Sequence, residues 1–212
     1  MTSNLEINLI QEFKEACRTG NIEYVKEIYR VYPTIDISAY NELAFKYACM
    51  NGHLELVKLL YHWKQTIDIS SDNEQAFRWA CKKGHLEVIR QLYTWKPTID
   101  ISAKNEYAFE MACVWGHKDV IKQLLIWKPT IDFSKFISGF NSEIRKYIMS
   151  IATSNNLTKE LIPEGHLLEC PICRDNIHGE CMVTKCGHKY CANCINQWLE
   201  NNITCPYCRT LI

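Results

Sequence analysis

The feature that most constrains this 212-residue chain is a period of 32 residues in its first two thirds. Aligning 41–72 with 73–104 gives 19 identities in 32, and aligning 73–104 with 105–136 gives 19 more. A fainter copy at 9–40 matches 41–72 at 14 positions. Duplication at this length predicts a stack of units, each too small to bury its apolar face alone. Within one copy, Asn105 reads as an N-cap and Glu106 as a first-turn acid. Ala108, Phe109 and Ala112 then follow helical spacing, and Gly116 reads as a left-handed stop. Val120, Ile121, Leu124 and Leu125 mark a second helix, ended by Trp127-Lys128-Pro129. The unit is therefore helix, turn, helix, extended loop.

Twelve cysteines divide the chain a second way. Cys17, Cys49, Cys81 and Cys113 recur once per unit after an alanine, and read as small core residues. His53, His85 and His117 follow the turn glycine and read as bonding the backbone there. Trp63, Trp95 and Trp127 recur with the period and read as structural. Other positions change between copies: Tyr40, Asp72 and Lys104 at the loop tips, and Tyr47, Trp79 and Met111 on the first helix. Further along that helix vary Met50, Lys82 and Val114, then Asn51, Lys83 and Trp115.

The unit resembles the ankyrin repeat, through Ala-Cys-x-x-Gly-His at 48–53, 80–85 and 112–117. It departs from that family in its period, usually about 33, and in replacing Thr-Pro-Leu-His with Leu43-Ala44-Phe45-Lys46 and equivalents. The variant is similar to the divergent ankyrin repeats of large DNA viruses. The resemblance implies that loop tips and first helices line a concave face. Tyr40, Asp72, Lys104, Trp79 and Trp115 are then candidates to hold a protein partner. The expected domain spans 1–152, with about four units over 9–136 and a closing helix over 137–152 (Ile144, Tyr147, Ile148, Ile151) shielding the last unit. Residues 153–165, with Asn155, Asn156, Pro163 and Gly165, read as a linker.

The remaining segment, 166–212, concentrates soft ligands: Cys170-x2-Cys173, Cys186-x-His188, Cys191-x2-Cys194 and Cys205-x2-Cys208. So short a segment has too little core to fold unaided. Eight ligands suit two tetrahedral zinc ions in closed, structural sites, with no open position for a reacting water. Binding contributes folding free energy on the order of 10 kcal/mol per site. The ligand order, three Cys, one His, four Cys, resembles the C3HC4 RING finger. A PHD finger places its histidine one ligand later.

That resemblance implies a cross-brace, with Cys170, Cys173, Cys191 and Cys194 on one ion and Cys186, His188, Cys205 and Cys208 on the other. It also implies recruitment of a ubiquitin-charged conjugating enzyme (E2). Ile172, Trp198 and Pro206 match the positions that form a shallow apolar groove for the E2. Ile195, Trp198 and Leu199 have the spacing of one helical stripe. Arg209 matches the basic residue that bridges E2 and ubiquitin, restricting a mobile conjugate to an attack-ready geometry. Cys181 reads as a free thiol in the first zinc loop, and His166 and His178 as solvent-facing.

The expected architecture is thus mostly α, an ankyrin-repeat helical solenoid followed by a small zinc-bound RING domain. The expected activity is that of a RING-type E3 ubiquitin ligase with no covalent ubiquitin intermediate. A non-catalytic adaptor is the alternative, although it has no need of Arg209. Nucleic acid is not the expected partner. Lys and Arg balance Asp and Glu at 24 each, where a nucleic-acid binder carries a basic excess. The terminal 60 residues hold five basic and six acidic side chains. No apolar run long enough to span a membrane and no signal-peptide pattern is visible, so an intracellular setting, cytoplasmic or nuclear, is expected, in a host cell if the viral likeness holds.

Overall fold

The computed structural model describes residues 4–132, 136–163, 167–199, 202 and 204–210, with side chains from residue 7 and not at 137 or 152–156. The chain divides into two compact units, Met1–Phe133 and Ser134–Ile212.

The first unit is four helical hairpins: α1 (Asn4–Thr19) with α2 (Ile22–Val31), α3 (Ala39–Met50) with α4 (Leu54–Trp63), α5 (Ser71–Lys83) with α6 (Leu86–Trp95), and α7 (Ala103–Val114) with α8 (Lys118–Trp127). The period appears as layers of identical packing. Phe13, Phe45, Phe77 and Phe109 are buried, as are Ala16, Ala48, Ala80 and Ala112. The repeat cysteines are buried beside them. Burial pushes the Cys17 thiol up to about 12, and the other three rise for the same first cause. They are packing groups, as expected.

Neighbouring layers are joined by two ladders. Trp63, Trp95 and Trp127 stack on Tyr29, Tyr61 and Tyr93 of the preceding layer, each at 4.0 Å between ring centroids. The histidines bond backbone, but across layers rather than in their own turn. His53 Nε2 lies 3.1 Å from Arg18 O, and His117 Nε2 lies 3.1 Å from Lys82 O. The rings press on the turn glycine of the preceding layer. A Cβ on Gly52 would fall 2.4 Å from His85, and one on Gly84 would fall 2.5 Å from His117.

The start of the first helix differs from expectation. Asn41, Asn73 and Asn105 do not cap right-handed helices. Each is the middle of three left-handed residues, Tyr40-Asn41-Glu42, Asp72-Asn73-Glu74 and Lys104-Asn105-Glu106, with φ between 56° and 63°. Such a turn costs roughly 1–2 kcal/mol per residue. It is held by Glu42 N, Glu74 N and Glu106 N donating to Ser38 O, Ser70 O and Ser102 O at 3.0–3.1 Å. The buried Glu42 and Glu74 carboxylates also accept from Asp68 N and Asp100 N, in the loops that lead to the next hairpin, at 3.3 and 3.4 Å.

In the second unit a 3-10 turn (Ile137–Gly139) leads into α9 (Ser142–Asn156), capped by Asn141 Oδ1 accepting from Ile144 N at 2.8 Å. β1 (Leu157–Leu161), β2 (Glu180–Thr184) and β3 (Lys189–Tyr190) form an antiparallel sheet in that order, followed by α10 (Ala192–Leu199). The boundary between units therefore lies elsewhere than the sequence suggested. The expected closing helix is present as α9, in the second compact unit. Most of the expected 153–165 linker is the end of α9 and the edge strand β1, whose Leu157 pairs with Thr184 and Leu161 with Glu180. Three consecutive polar residues, Thr158-Lys159-Glu160, leave this strand without an alternating pattern, and four of its five residues are exposed, so its sequence reads like a linker.

Candidate functional site

The Cys-rich segment is built on two copies of one turn. Cys170-Pro171-Ile172-Cys173-Arg174 and Cys205-Pro206-Tyr207-Cys208-Arg209 share it. In the first, Arg174 N donates to Cys170 O and Cys170 N to Asp175 O; in the second, Arg209 N donates to Cys205 O and Cys205 N to Thr210 O, all at 2.8–2.9 Å. Each turn ends on a left-handed arginine, φ 64° at Arg174 and 60° at Arg209. The β2–β3 hairpin carries Cys186 and His188 in its turn. Cys191 follows β3, and Cys194 sits in the first turn of α10.

This layout brings together Cys170, Cys173, Cys191 and Cys194, and separately Cys186, His188, Cys205 and Cys208. Within each set all ligand atoms lie within 4.8 Å of one another. Cys173 and Cys191 Sγ are 3.9 Å apart, and Cys186 and Cys208 Sγ 3.4 Å. His188 turns Nδ1 inward, 3.3 Å from Cys186 Sγ and 3.5 Å from Cys205 Sγ. Zinc–thiolate bonds of about 2.3 Å in a tetrahedron place sulfurs about 3.8 Å apart. The residues fit two zinc ions in the interleaved arrangement.

The electrostatics point the same way. Burial, then the neighbouring thiols, push Cys191 up to about 12 and Cys194 up to about 11. Burial also raises Cys170, but hydrogen bonds from Cys173, Cys191 and Ile172 more than offset it and lower that thiol to about 7. Four thiols this close cannot all ionise unless a cation sits among them, and a divalent ion reverses the balance.

Three hydroxyls around the second set had no signal in the sequence. Tyr190 Oη lies 2.9 Å from Cys205 Sγ, and Thr184 Oγ1 and Thr210 Oγ1 lie 3.1 Å from Cys186 and Cys208 Sγ. Such partners orient metal ligands. Tyr190 is fully buried in a small core with Ile177, Cys181, Ile195 and Leu199. Cys181 is thus corrected: it lies in β2, buried, not in the first zinc loop. Ile195 and Leu199 are core as well, so only Trp198 of that stripe remains half-exposed. Its Nε1 donates to Thr204 O at 2.8 Å. Ile172 and Arg209 are exposed and Pro206 half-exposed. His178 is exposed, whereas His166 lies outside the described residues.

Residues 168–209 match the family model described as Ring finger domain, and residues 45–92 match that described as Ankyrin repeats (many copies). The chain carries ankyrin repeats and a C-terminal RING finger. The first unit's likeness extends to an ankyrin repeat family protein from Legionella pneumophila, with TM-score 0.50 and 27% identity over 68% of this chain and 48% of that one. The chain is 52% identical over 46 residues to a RING finger protein of Schizosaccharomyces pombe, covering 20% of this chain and 6% of that protein. It is 39% identical over 67 residues to the E3 ubiquitin-protein ligase RNF4 of Rattus norvegicus, covering 29% and 34%. To the E3 ubiquitin-protein ligase ATL76 of Arabidopsis thaliana it is 33% identical over 75 residues, covering 34% and 33%. The match thus spans about a third or less of each curated relative's length.

On the ankyrin unit the candidate partner-binding residues differ in how free they are. Trp115 is 60% exposed and Tyr40 is 55% exposed. Lys14 sits over the Tyr40 ring, Nζ at 4.0 Å from its centroid. Trp79 is half-buried, stacked on Tyr47 at 6.3 Å. The Asp72 carboxylate is already engaged by Lys46 and by Asn41 Nδ2. Lys104 is exposed.

Proposed function

We propose that this chain is a RING-type E3 ubiquitin ligase. Its RING finger binds an E2 charged with ubiquitin, and its ankyrin unit holds the protein to be modified. A lysine amine of that protein attacks the E2 thioester, so ubiquitin passes directly from one protein to the other. The cysteines of this chain take no covalent part. The zinc ions supply rigidity, holding the two knuckles in place.

The observation that carries the reading is the second knuckle. Beyond its last metal ligand it presents Arg209, exposed and bonded through its amide to Cys205 O at 2.9 Å. A rigid turn bearing a planar five-donor cation is suited to bonding two acceptors on neighbouring proteins at once. On the first knuckle, Ile172 remains 37% exposed in a domain with few apolar residues to spare. Trp198 and Pro206 supply further half-exposed apolar surface. The relatives whose names declare ligase activity support the same reading. On this reading the chain acts inside a cell, where thiol ligands stay reduced.

The test is discharge of a panel of ubiquitin-charged E2 enzymes to free lysine by the zinc-loaded chain. With a permissive E2, discharge accelerates, and Ile172→Ala or Arg209→Ala lowers it by about tenfold or more, about 1.4 kcal/mol. Arg174→Ala, the same residue in the same conformation on the other knuckle, leaves it unchanged. All variants retain two zinc per chain. No acceleration with any E2 overturns the reading in favour of a non-catalytic adaptor.

A further inference from the structure

The repeats supply an internal template for a binding site. One basic residue per layer holds the same position, Lys14, Lys46 and Arg78, spaced by the 32-residue period. Twenty-six residues later, at the loop tips, come Tyr40, Asp72 and Lys104. The first pair is a cation over an aromatic ring, with Nζ 4.0 Å from the Tyr40 centroid. The second is an ion pair, in which Lys46, almost wholly buried, bonds the Asp72 carboxylate. Asn41 Nδ2 donates to the same group at 2.6 Å.

The third layer breaks the pattern. Arg78 takes the place of Lys46 and Asn73 that of Asn41, but Lys104 takes the place of the carboxylate. The backbone is the same, with φ and ψ of 59° and 47° at Lys104 against 56° and 43° at Asp72. Two basic residues therefore stand where the layer before has a cation and an anion, and the Arg78 guanidinium lies over the Tyr107 ring, 5.3 Å from its centroid. Arg78 turns back onto its own turn, its Nε 2.7 Å from Asn73 O and Nη2 3.0 Å from Asp72 O. Lys104 is exposed and, among the described residues, carries no ion pair.

We propose that this junction takes a carboxylate from an acidic segment of the protein bound by the ankyrin unit, which supplies what Asp72 supplies one layer earlier. This rests on the reading that the unit holds a protein partner, and names the chemistry of that partner. The apolar part of the surface lies at the other end of α7. There Val114 and Trp115 are 55% and 60% exposed. Tyr47 stacked on Trp79 shows that residues one period apart are neighbours on this face, which sets Lys83 beside Trp115. Between Lys104 and Trp115 the right-handed run of α7, 107–114, is eight residues, about 12 Å at 1.5 Å each. An extended segment covers that in about four residues. The partner is thus an extended acidic peptide with a large apolar side chain about four residues or more from the bound carboxylate.

The test compares two pools of short fluorescein-labelled peptides with the same apolar content, one rich in Asp and Glu and one in Lys and Arg. Binding to the full zinc-loaded chain is read by fluorescence anisotropy. The acidic pool binds about tenfold tighter or more. Lys104→Asp rebuilds the Lys46–Asp72 pair at the third layer, so it raises the unfolding temperature of the ankyrin unit by a few degrees and abolishes the preference. Lys122→Asp, the same charge change on the exposed side of α8, leaves it intact. Equal binding of the pools, or equal loss in both variants, overturns the proposal. E2 discharge is the same in Lys104→Asp as in the unmodified chain. Its absence in both tells against the ligase reading alone.

Discussion

A lysine ammonium taken out of water needs a counter-charge, and Lys46 has one only because Asp72, at the start of the next hairpin, provides it. The bond from Lys46, first, and the charge and hydrogen bonds around it hold the Asp72 carboxyl below the ordinary aspartate range. The sign follows from linkage. A carboxyl depressed in the folded state stabilises it above the unfolded pKa, about 3.9, and that contribution is lost as pH falls through the lower folded value. Asp72→Asn is therefore expected to lower the urea midpoint at pH 7, and the difference from the unmodified chain is expected to close in strong acid. Lys46→Met is expected to cost less than Asp72→Ala, since removing the acid alone strands a buried cation. In the sequence Asp72 stands out because its position varies between copies. Variation identified a surface position, but its partner, 26 residues earlier, could be recognised only once the layers were stacked.

At the scale of elements, the inter-repeat contact is a glycine meeting a histidine ring. The sequence placed both residues in the turn, and the structure sets the ring against the glycine of the layer before. Gly84 and Gly116 share a positive φ, 78° and 75°, but a Cβ at Gly84 would strike His117 whereas one at Gly116 meets nothing within 4 Å. Both alanine substitutions carry the left-handed strain, about 1 kcal/mol. Only Gly84→Ala also forces two layers apart. Thermal unfolding is expected to show the larger loss at Gly84, and equal losses would remove the cross-layer contact from the account. The left-handed turns before the first helices were not legible, because Asn-Glu is also how an ordinary helix begins. What selects the turn is the buried Glu42 and Glu74 reaching loop amides 26 residues later, a tertiary effect.

For the whole molecule, the two units are stabilised by different physics. The ankyrin unit rests on repeated apolar layers, and no helix among the described residues is long and apolar enough to cross a membrane. Among the described residues, the RING finger has a core of seven buried residues, three of them cysteines, and depends on its metal. Strong chelation is expected to abolish the protection of RING amides from hydrogen exchange while α3–α8 keep theirs. Collapse of both together would show that the metal supports the ankyrin unit too.

Spacing alone determined the repeat count, the buried cysteine rows and the eight metal ligands, because period and ligand identity are local properties of a chain. The interleaving of ligands came only by resemblance, and the Sγ and Nδ1 positions decided it. Tertiary structure alone decided that β1 joins the sheet, that Cys181 is core, that Tyr190 and two threonines attend the second metal set, and which loop-tip charges are already paired. Each of those depends on which distant residue arrives alongside, and that is set by the packing of layers and strands rather than by any neighbour in sequence.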